Sequence, residues 1–401
     1  MTAPRKSVMV LCGFYLPGFV AGGPIRSISS MIENLCDEFD FHVITSNHDL
    51  NSAIPYENIA SGQWNRIGKA NVFYLPDGVG SLFRIARLLR DTHHDMLYLN
   101  SFFSPKYTIW PLLLSKLHLI ARKPTLLASR GEFSDGALGL KAFKKYIYRK
   151  VSTVIGLYDH IFWHASTPAE KSDIIRNHGV GSESILTSRV LVASDMATAN
   201  VVKDHGSDYF KVQQSDTAIR ICFLSRISPM KNLEFAIKVL SEVDVPVIFT
   251  IYGPKENLGY WSQCQAVIEQ LPANISVQYA GPVDSDAVVE TIAKHDLLFV
   301  PTLGENFGHV FIESWSAGVP VLISDRTPWR NLASQNIGWD LSLDNVKPFI
   351  AAIQEAVDWS PEKRLQVSEA CRTMAQGIIF DDSAIESNRN LFLTVLEKPL
   401  P

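Results

Sequence analysis

The chain has 401 residues, of which 46% are hydrophobic and 19% are charged, so it holds enough apolar material for two buried cores. Its 37 Lys and Arg residues against 41 Asp and Glu residues argue against a nucleic-acid-binding protein, which usually carries a basic surplus. The five cysteines are odd in number and show no C-x-x-C or metal-ligand spacing, which favours free thiols in a reducing cytoplasm.

No segment of the sequence predicts a membrane span. The apolar run that begins at Val8 is too short for a signal peptide. The longest apolar stretch, 109–121, is interrupted by Pro111, Lys116 and His118 and falls short of the roughly 20 apolar residues that a span requires. We therefore expect a cytoplasmic protein.

Short β-branched runs alternate with amphipathic stretches along the chain, a pattern typical of parallel sheets with helices on both faces. The predicted fold class is α/β. The first half predicts a loop at 14–23, a helix at 24–39, and strands at 7–13, 41–46, 71–75, 96–100, 125–129 and 160–165. After a polar, aperiodic stretch at 194–216, the second half predicts a helical C-terminal part and strands at 219–224, 247–252, 275–279, 296–300 and 319–324.

The first candidate site is the pair Gly22 and Gly23, which precedes the first predicted helix. Glycines let a backbone approach a ligand closely, and the start of a helix offers unpaired N–H donors. The pair does not form the G-x-G-x-x-G fingerprint, which disfavours an ordinary nicotinamide or flavin site. A simple turn is the alternative interpretation.

The second candidate site follows the strand 219–224, where Arg226 and Lys231 flank a Ser-Pro turn. Both cations are expected at the carboxyl edge of the sheet, where they suit the neutralisation of a diphosphate without a metal ion. Two surface cations at a turn are the alternative.

The third candidate site is the segment 301–313, which follows the strand 296–300 and leads into a helix. Ligands of open α/β sheets bind at such strand ends, and first-turn amides can meet phosphate or sugar oxygens. We expect Glu305 before the helix and Glu313 about two turns inside it, both directed at hydroxyl groups. The alternative is that Glu305 caps the helix and that Glu313 is solvated. The amides in question belong to Phe307, Gly308, His309 and Val310, and Asn306 is a further candidate donor-binding residue.

In this order, the three segments resemble the family 4 retaining glycosyltransferases, which have the GT-B architecture of two Rossmann-like domains whose parallel sheets face a central cleft. The resemblance implies an acceptor-binding domain at 1–200, a nucleotide-sugar-binding domain at 201–375, and a C-terminal helix at 376–401 that returns to the first domain. The match is specific in the second domain and moderate at Gly22 and Gly23.

The resemblance implies roles residue by residue. Gly23 contacts the donor through its backbone, Arg226 and Lys231 hold the diphosphate, Glu305 contacts the transferred sugar near the reacting centre, and Glu313 holds the ribose. The amides of residues 307–309 face sugar and phosphate, and the backbone of 279–283, including Val283, meets the nucleobase.

The sequence departs from the usual family pattern in the first domain. Many relatives have a histidine after a mid-domain strand, whereas Arg130 and Gly131 follow the strand 125–129 here. We therefore expect Arg130 at the acceptor end, together with Asn100, which follows another strand. This Arg-Gly pattern resembles a subset that builds bacterial cell-surface polysaccharides on lipid carriers.

The stretch 141–150 mixes basic and aromatic residues at helical spacing, which is typical of an interfacial helix and predicts peripheral contact with an anionic membrane. An ordinary solvated helix face is the alternative.

Together these features predict a metal-independent, retaining hexosyltransferase that uses a UDP- or GDP-sugar and no cofactor. The acceptor is expected to be a glycan or lipid-linked saccharide of exopolysaccharide, O-antigen or capsule synthesis, attacked on the same face as the leaving diphosphate, which helps to deprotonate it. The competing hypotheses are a GT-B sugar-nucleotide epimerase or hydrolase and a noncatalytic nucleotide-sugar-binding regulatory subunit.

Overall fold

The computed structural model describes residues 5–139, 142–178, 187–197 and 218–398. The chain divides into two compact units, one formed by residues 1–196 together with 382–401 and the other by residues 197–381. The domain boundary predicted after residue 200 lies outside the described residues, as does Lys141 at the start of the basic stretch. No helix among the described residues is long and apolar enough to cross a membrane.

The first unit is built on an eight-stranded sheet with the order β3-β4-β2-β1-β5-β6-β7-β8. All its pairings are parallel except β3 with β4. The strands are β1 (Lys6–Leu11), β2 (Phe39–Ser46), β3 (Trp64–Ile67), β4 (Ala70–Leu75), β5 (Met96–Asn100), β6 (Thr125–Ala128), β7 (Phe162–Ala165) and β8 (Val190–Val192).

Helices cover both faces of this sheet. They are α1 (Gly23–Leu35), α2 (Ser81–Asp91), α3 (Trp110–Lys116) after one π-helical turn, α4 (Asp135–Gly139), α5 (Ala142–Val154) and α6 (Pro168–His178). Because successive strand residues point to opposite faces, Val8 and Val10 of β1 enter one core while Met9 and Leu11 enter the other. This two-sided burial explains the continuous apolar runs in the sequence.

The second unit contains a parallel six-stranded sheet with the order β11-β10-β9-β12-β13-β14. Its strands are β9 (Ile219–Leu224), β10 (Val247–Tyr252), β11 (Ile275–Gly281), β12 (Leu297–Val300), β13 (Val321–Ser324) and β14 (Gly338–Leu341). Its helices are α7 (Leu233–Leu240), α8 (Leu258–Ile268), α9 (Val288–Ile292), α10 (His309–Ser316), α11 (Lys347–Val357) and α12 (Pro361–Ile379).

The last helix, α13 (Asp382–Glu397), belongs to the first unit and packs on α1 and β8. Its Phe392 is fully buried, stacks on the ring of Tyr98 at a centroid distance of 5.7 Å, and lies 5.3 Å from the ring of Phe39. The C-terminal helix thus completes one of the two cores of the first sheet.

The predicted α/β class is confirmed, but several elements differ from the sequence-based expectation, among them the unpredicted strands β3 and β8. The helix predicted over 24–39 ends at Leu35, because the chain turns at 36–38 and Phe39 already begins β2 with its side chain buried. The C-terminal part is not wholly helical, since residues 338–341 form the edge strand β14 beside β13. Its four residues give too short a pattern for recognition from sequence.

Candidate active site

Two neighbouring strands of the second sheet, β9 and β12, end side by side and carry the predicted loops. Three of the hydrogen bonds that join these loops end on backbone carbonyls. The amide of Leu303 and the hydroxyl of Thr302 both donate to the carbonyl of Met230, at 2.8 and 3.0 Å, and Asn232 donates to the carbonyl of Pro301 at 3.0 Å. The two predicted sites of this unit therefore form one edge, as expected for ligand sites of parallel sheets.

At this edge Lys231 and Glu305 form an ion pair. Nζ of Lys231 donates to Oε2 of Glu305 at 2.5 Å, and only 13% and 20% of the two side chains are exposed. Burial raises the pKa of the Glu305 carboxyl, but the charge and hydrogen bond of Lys231 outweigh burial, so the pKa lies below its ordinary value. The carboxylate is therefore ionised at neutral pH.

Arg226 also has a carboxylate partner, Glu256, which sequence reasoning missed. Nη1 of Arg226 lies 3.1 and 3.0 Å from the two carboxylate oxygens of Glu256, and about a third of each side chain is exposed. Glu256 follows β10. The feature of the sequence that could have pointed to this loop is Gly253, which has φ 132° and where a Cβ would lie 1.8 Å from the carbonyl oxygen of Ser225. A glycine after a strand can mark such close backbone approach.

Beside this pair, Lys255 lies over two aromatic rings, 4.1 Å from the centroid of Tyr279 and 4.7 Å from that of Trp261. Tyr279 lies in β11. At the end of this strand, the carbonyl of Gly281 accepts a hydrogen bond from the amide of Gly253 at 2.8 Å. Val283 follows two residues later and packs against the core of the unit. The predicted backbone segment 279–283 is thus the carboxyl end of β11 beside β10.

The start of α10 depends on Gly308. This residue is the N-cap with φ 81°, and a Cβ there would lie 2.4 Å from the ring of Phe311, so the position requires glycine. The carbonyl of Phe307 accepts a 2.5 Å hydrogen bond from the indole of Trp329, and its ring lies against that of His309. The amide of Phe311 donates to the carbonyl of Gly308 at 2.8 Å, so the helix begins directly at this glycine, and the start of a helix favours anions.

Asn306 and Glu313 flank this helix start. The side-chain nitrogen of Asn306 is buried and has no hydrogen-bond partner among the described residues, an arrangement that leaves a donor for a ligand. Glu313 is the fifth residue of α10, just over one turn inside rather than the two turns expected. Because only 3% of Glu313 is exposed, the interpretation as a solvated residue is wrong.

In the first unit, Gly22 is the N-cap of α1 with φ 68°, and Gly23 is the first residue of the helix. A Cβ on Gly23 would meet no atom within 4 Å, so open space borders the start of α1. The preceding loop is fixed by Asp49, which accepts the amides of Phe19 and Val20 at 2.8 and 3.1 Å.

Arg130 and Asn100, predicted at the acceptor end, belong to a buried polar network. Nε of Arg130 donates to Oδ1 of Asn100 at 2.9 Å, one Nη donates to the hydroxyl of Tyr98 at 2.9 Å, and the other pairs with Asp195. Ser27 of α1 donates to the second oxygen of Asp195 at 2.8 Å. The guanidinium is therefore held by internal partners, which the sequence did not indicate.

The turn that carries Arg130 is itself fixed by a buried carboxylate. Glu170 accepts from Ser129 at 2.8 Å, from the amide of Gly131 at 2.7 Å, and from the amide and hydroxyl of Ser166 at 2.8 and 2.7 Å. These bonds hold Arg130 at φ 52°, a left-handed conformation that side chains rarely adopt.

Comparison with known proteins decides the nature of the second unit. Residues 207–374 match the family model described as glycosyl transferases group 1, of which 207–217 lie outside the described residues. This unit carries a group 1 glycosyl transferase domain. The group 1 domain includes every candidate residue at the edge of the second sheet.

Individual relatives resemble the chain at different lengths. The D-inositol 3-phosphate glycosyltransferase of Jonesia denitrificans is 25% identical over 112 residues, and the match spans 26% of this chain and 26% of that relative. The structure of HepE from Anabaena in complex with UDP-glucose shares 16% identity at a TM-score of 0.69, covering 98% of this chain and 99% of that one. Sucrose-phosphate synthase from Thermosynechococcus elongatus shares 14% identity at a TM-score of 0.72, with coverages of 98% and 99%.

At these identities the structural likeness concerns the fold, and it confirms the predicted GT-B fold class. The group 1 domain brings Arg226, Lys231, Glu305 and the start of α10 to one edge of its sheet. Such an edge, with two cations and helix-start amides, is suited to an anionic ligand that also presents hydroxyl groups.

Proposed function

We propose that the chain is a retaining, metal-independent glycosyltransferase that moves a hexose-type sugar from a UDP- or GDP-sugar to a saccharide hydroxyl. The observation that carries this proposal is the Lys231–Glu305 pair beside the start of α10. It combines a cation for phosphate with an ionised carboxylate for hydroxyl groups, in a place where first-turn amides also favour anions.

Lys231 and Arg226 are proposed to hold the donor diphosphate. In the structure each cation contacts a carboxylate, Glu305 and Glu256 respectively. A diphosphate presents more negative charge than one carboxylate, so it competes for both cations and leaves the Glu305 oxygens available to a sugar hydroxyl. Donor binding is thus an exchange of partners and does not require unpaired cations beforehand.

Around these groups, the donor is proposed to contact the amides of Phe307, Gly308, His309 and Val310 and the unpartnered side-chain nitrogen of Asn306. The remaining donor contacts proposed are the ribose with Glu313, the nucleobase with Val283, and the diphosphate side with Gly22 and Gly23. The open space beside Gly23 supports contact between its backbone and the donor. The burial of Glu313 supports a carboxylate held in a fixed position.

The proposed chemistry places the acceptor on the face of the sugar from which the diphosphate departs. The bond between the anomeric carbon and the diphosphate breaks, the acceptor oxygen bonds to that carbon on the same face, and the acceptor proton passes to a diphosphate oxygen. Lys231, Arg226 and the helix-start amides stabilise the charge that grows on the leaving group. No side chain is required as a strong base.

On the acceptor side, the proposal assigns Arg130 and Asn100 to positioning. Their mutual hydrogen bond and the Asp195 partner fix the turn after β6 without leaving the guanidinium unpaired. A glycan or lipid-linked saccharide of bacterial surface polysaccharide synthesis is the proposed acceptor, supported by the Arg130-Gly131 pattern after this strand, and the inner face of the plasma membrane is the proposed location.

The proposal is tested by incubating the purified protein with a panel of UDP- and GDP-sugars in EDTA and measuring free nucleoside diphosphate and the anomeric configuration of the products. We expect slow release from one donor, faster release with a saccharide acceptor, and loss of both in Glu305→Ala and Lys231→Ala. The matched control is Glu290→Ala, whose partner Lys294 lies in an exposed pair at 3.5 Å.

Other outcomes distinguish the competing hypotheses. Release of free nucleotide that no acceptor accelerates would indicate an epimerase or hydrolase. Donor binding without turnover would indicate a regulatory subunit, and activity that EDTA abolishes would contradict the metal-independent mechanism.

A further inference from the structure

In the first unit, helix α5 exposes its apolar residues to solvent and packs more polar residues on the protein. Four residues of α5, at positions i, i+4, i+8 and i+11, form an apolar stripe that points outward. Their exposed fractions are 75% for Phe143, 45% for Ile147, 53% for Val151 and 84% for Val154. We call these four residues the exposed stripe.

The opposite side of α5 is the side packed on the protein, and its composition shows that the orientation is fixed. Tyr148 lies 5.4 Å from the ring of Phe102, Ser152 is buried, and Lys145 donates to the carbonyl of Ala137 at 2.6 Å while lying 5.0 Å over the ring of Phe103. A tyrosine, a serine and a lysine therefore occupy the inner face, while the aliphatic residues and Phe143 face outward. Packing in the core of the first unit therefore does not explain why the four residues of the exposed stripe are apolar.

A second exposed apolar segment lies beside the C-terminal end of α5. Leu117 and Leu119, in the turn after α3, are 64% and 56% exposed. Lys116 at the end of α3 donates to the carbonyl of Gly156 at 3.2 Å, which joins this turn to the residues just after α5. The exposed stripe and the leucine turn therefore belong to one surface, larger than the single apolar residues that are normal on proteins.

The segments that carry this surface are basic. Residues 116–123 and 141–155 contain eight Lys and Arg residues and no Asp or Glu, although the whole chain carries a formal net charge of −4. The acid at their edge is Asp159, whose Oδ2 would lie 2.3 Å from a Cβ on Gly156. Lys144, Lys150 and Arg122 are exposed beside the apolar residues, and Tyr146 and Lys150 lie against each other at 5.8 Å. Exposed aliphatic and aromatic residues together with an excess of exposed cations are typical of a surface that rests on anionic lipid.

We propose that this surface, formed by the exposed stripe and the leucine turn, docks on an anionic lipid bilayer, with its side chains in the headgroup region and the rim lysines on lipid phosphates. This surface would be the part of the protein that contacts the membrane at its proposed location. The biological meaning of this inference rests on the proposed function. Binding to lipid is measured without donor or acceptor, so either proposal can fail while the other stands.

The test is sedimentation of the full chain with vesicles of phosphatidylcholine and phosphatidylglycerol, compared with phosphatidylcholine alone. We expect binding to the anionic vesicles that weakens as salt is added, because the Debye length falls from about 10 Å at 0.1 M to about 3 Å at 1 M. Phe143→Ser/Val154→Ser is expected to weaken binding about tenfold or more. Lys144→Gln/Lys150→Gln should weaken it about fivefold for each lysine removed.

A matched control comes from the same unit. Val79 and Phe83 are 94% and 73% exposed, so Val79→Ser/Phe83→Ser removes the same chemistry at nearly the same exposure outside the proposed surface. Equal loss of binding in both double variants would overturn the proposal, as would equal binding to both kinds of vesicle. A dimer of the wild type that only Phe143→Ser/Val154→Ser dissociates would also overturn it, because a second copy would then cover the stripe.

Discussion

Lys231 and Glu305 are 74 positions apart in the chain, yet Nζ of one lies 2.5 Å from Oε2 of the other. The contact forms because β9 and β12 are adjacent and parallel, so that the loops after them meet at one edge of the sheet. The pair thus links the loop proposed to hold phosphate with the loop proposed to hold the sugar.

Removing either partner of this pair should abolish transfer. We expect Glu305→Ala and Lys231→Ala to lower the rate of nucleoside diphosphate release at saturating donor by about 10²–10³-fold, because each removes a charge preorganised for the reacting groups. Steady-state kinetics with the donor identified in the panel measures this. In Glu290→Ala the rate should stay within about twofold of wild type, and a comparable loss there would mean that the effect is not local.

The same carboxylate gives the protein a pH-dependent contribution to stability. The pKa of Glu305 is lower in the folded chain than in the unfolded chain, so the pair stabilises the fold above the unfolded pKa of about 4.3. This contribution is lost as the pH falls through the lower, folded pKa. Urea unfolding of wild type and Glu305→Gln from pH 7 downward should show a free-energy difference that is constant to about pH 5 and then shrinks.

The control for this titration is Glu290→Gln, whose exposed pair with Lys294 should contribute less than about 1 kcal/mol at every pH. A difference between wild type and Glu305→Gln that grows as the pH falls would contradict the direction of the Glu305 shift.

Arg130 should be needed for folding stability as well as for activity. Arg130→Met leaves Asp195 buried without its cation, and we expect a loss of about 3–5 kcal/mol in the free energy of unfolding. A matched comparison is Arg176→Met, which breaks the more exposed pair with Asp173 and should cost less than about 1 kcal/mol. Unchanged stability with lost activity in Arg130→Met would instead indicate a guanidinium that acts on the acceptor directly.

Gly308 should be intolerant of any side chain. Gly308→Ala places a Cβ 2.4 Å from the ring of Phe311 at φ 81°, and we expect a loss of about 1–3 kcal/mol in unfolding free energy together with weaker donor binding. Gly304→Ala in the same loop is the control, because the nearest atom to its Cβ would be Sδ of Met230 at 3.8 Å. Chemical denaturation and calorimetric titration with the donor measure both effects, and equal losses in the two variants would contradict this explanation.

The sequence was sufficient for the parallel sheets and for the loop positions of Arg226, Lys231 and Glu305. Buried parallel strands are continuous apolar runs, and ligand loops follow their carboxyl ends, so both features are local in the sequence. The short strands β3, β8 and β14 were missed, because three or four residues carry little periodicity and their pairing depends on the neighbouring strand.

What sequence could not supply were the partners of the charged groups. Glu256 pairs with Arg226 across 30 positions and Asp195 with Arg130 across 65. Gly253 marks a close backbone approach near Glu256 but does not name its partner, and nothing local indicates the partner of Arg130. The burial of Arg130 changes the interpretation of that residue most, since a cation expected to meet the acceptor is held by Asn100, Tyr98 and Asp195.

The first unit is discontinuous in the chain, and this has a consequence for how the protein is made. Phe392 of α13 fills the space between Tyr98 and Phe39, yet the ribosome adds it only after the whole of the second unit. Until the ribosome releases this helix, an apolar face of the first sheet stays open while the entire group 1 domain is being synthesised. The second unit is therefore expected to complete its folding before the first, although it is translated later.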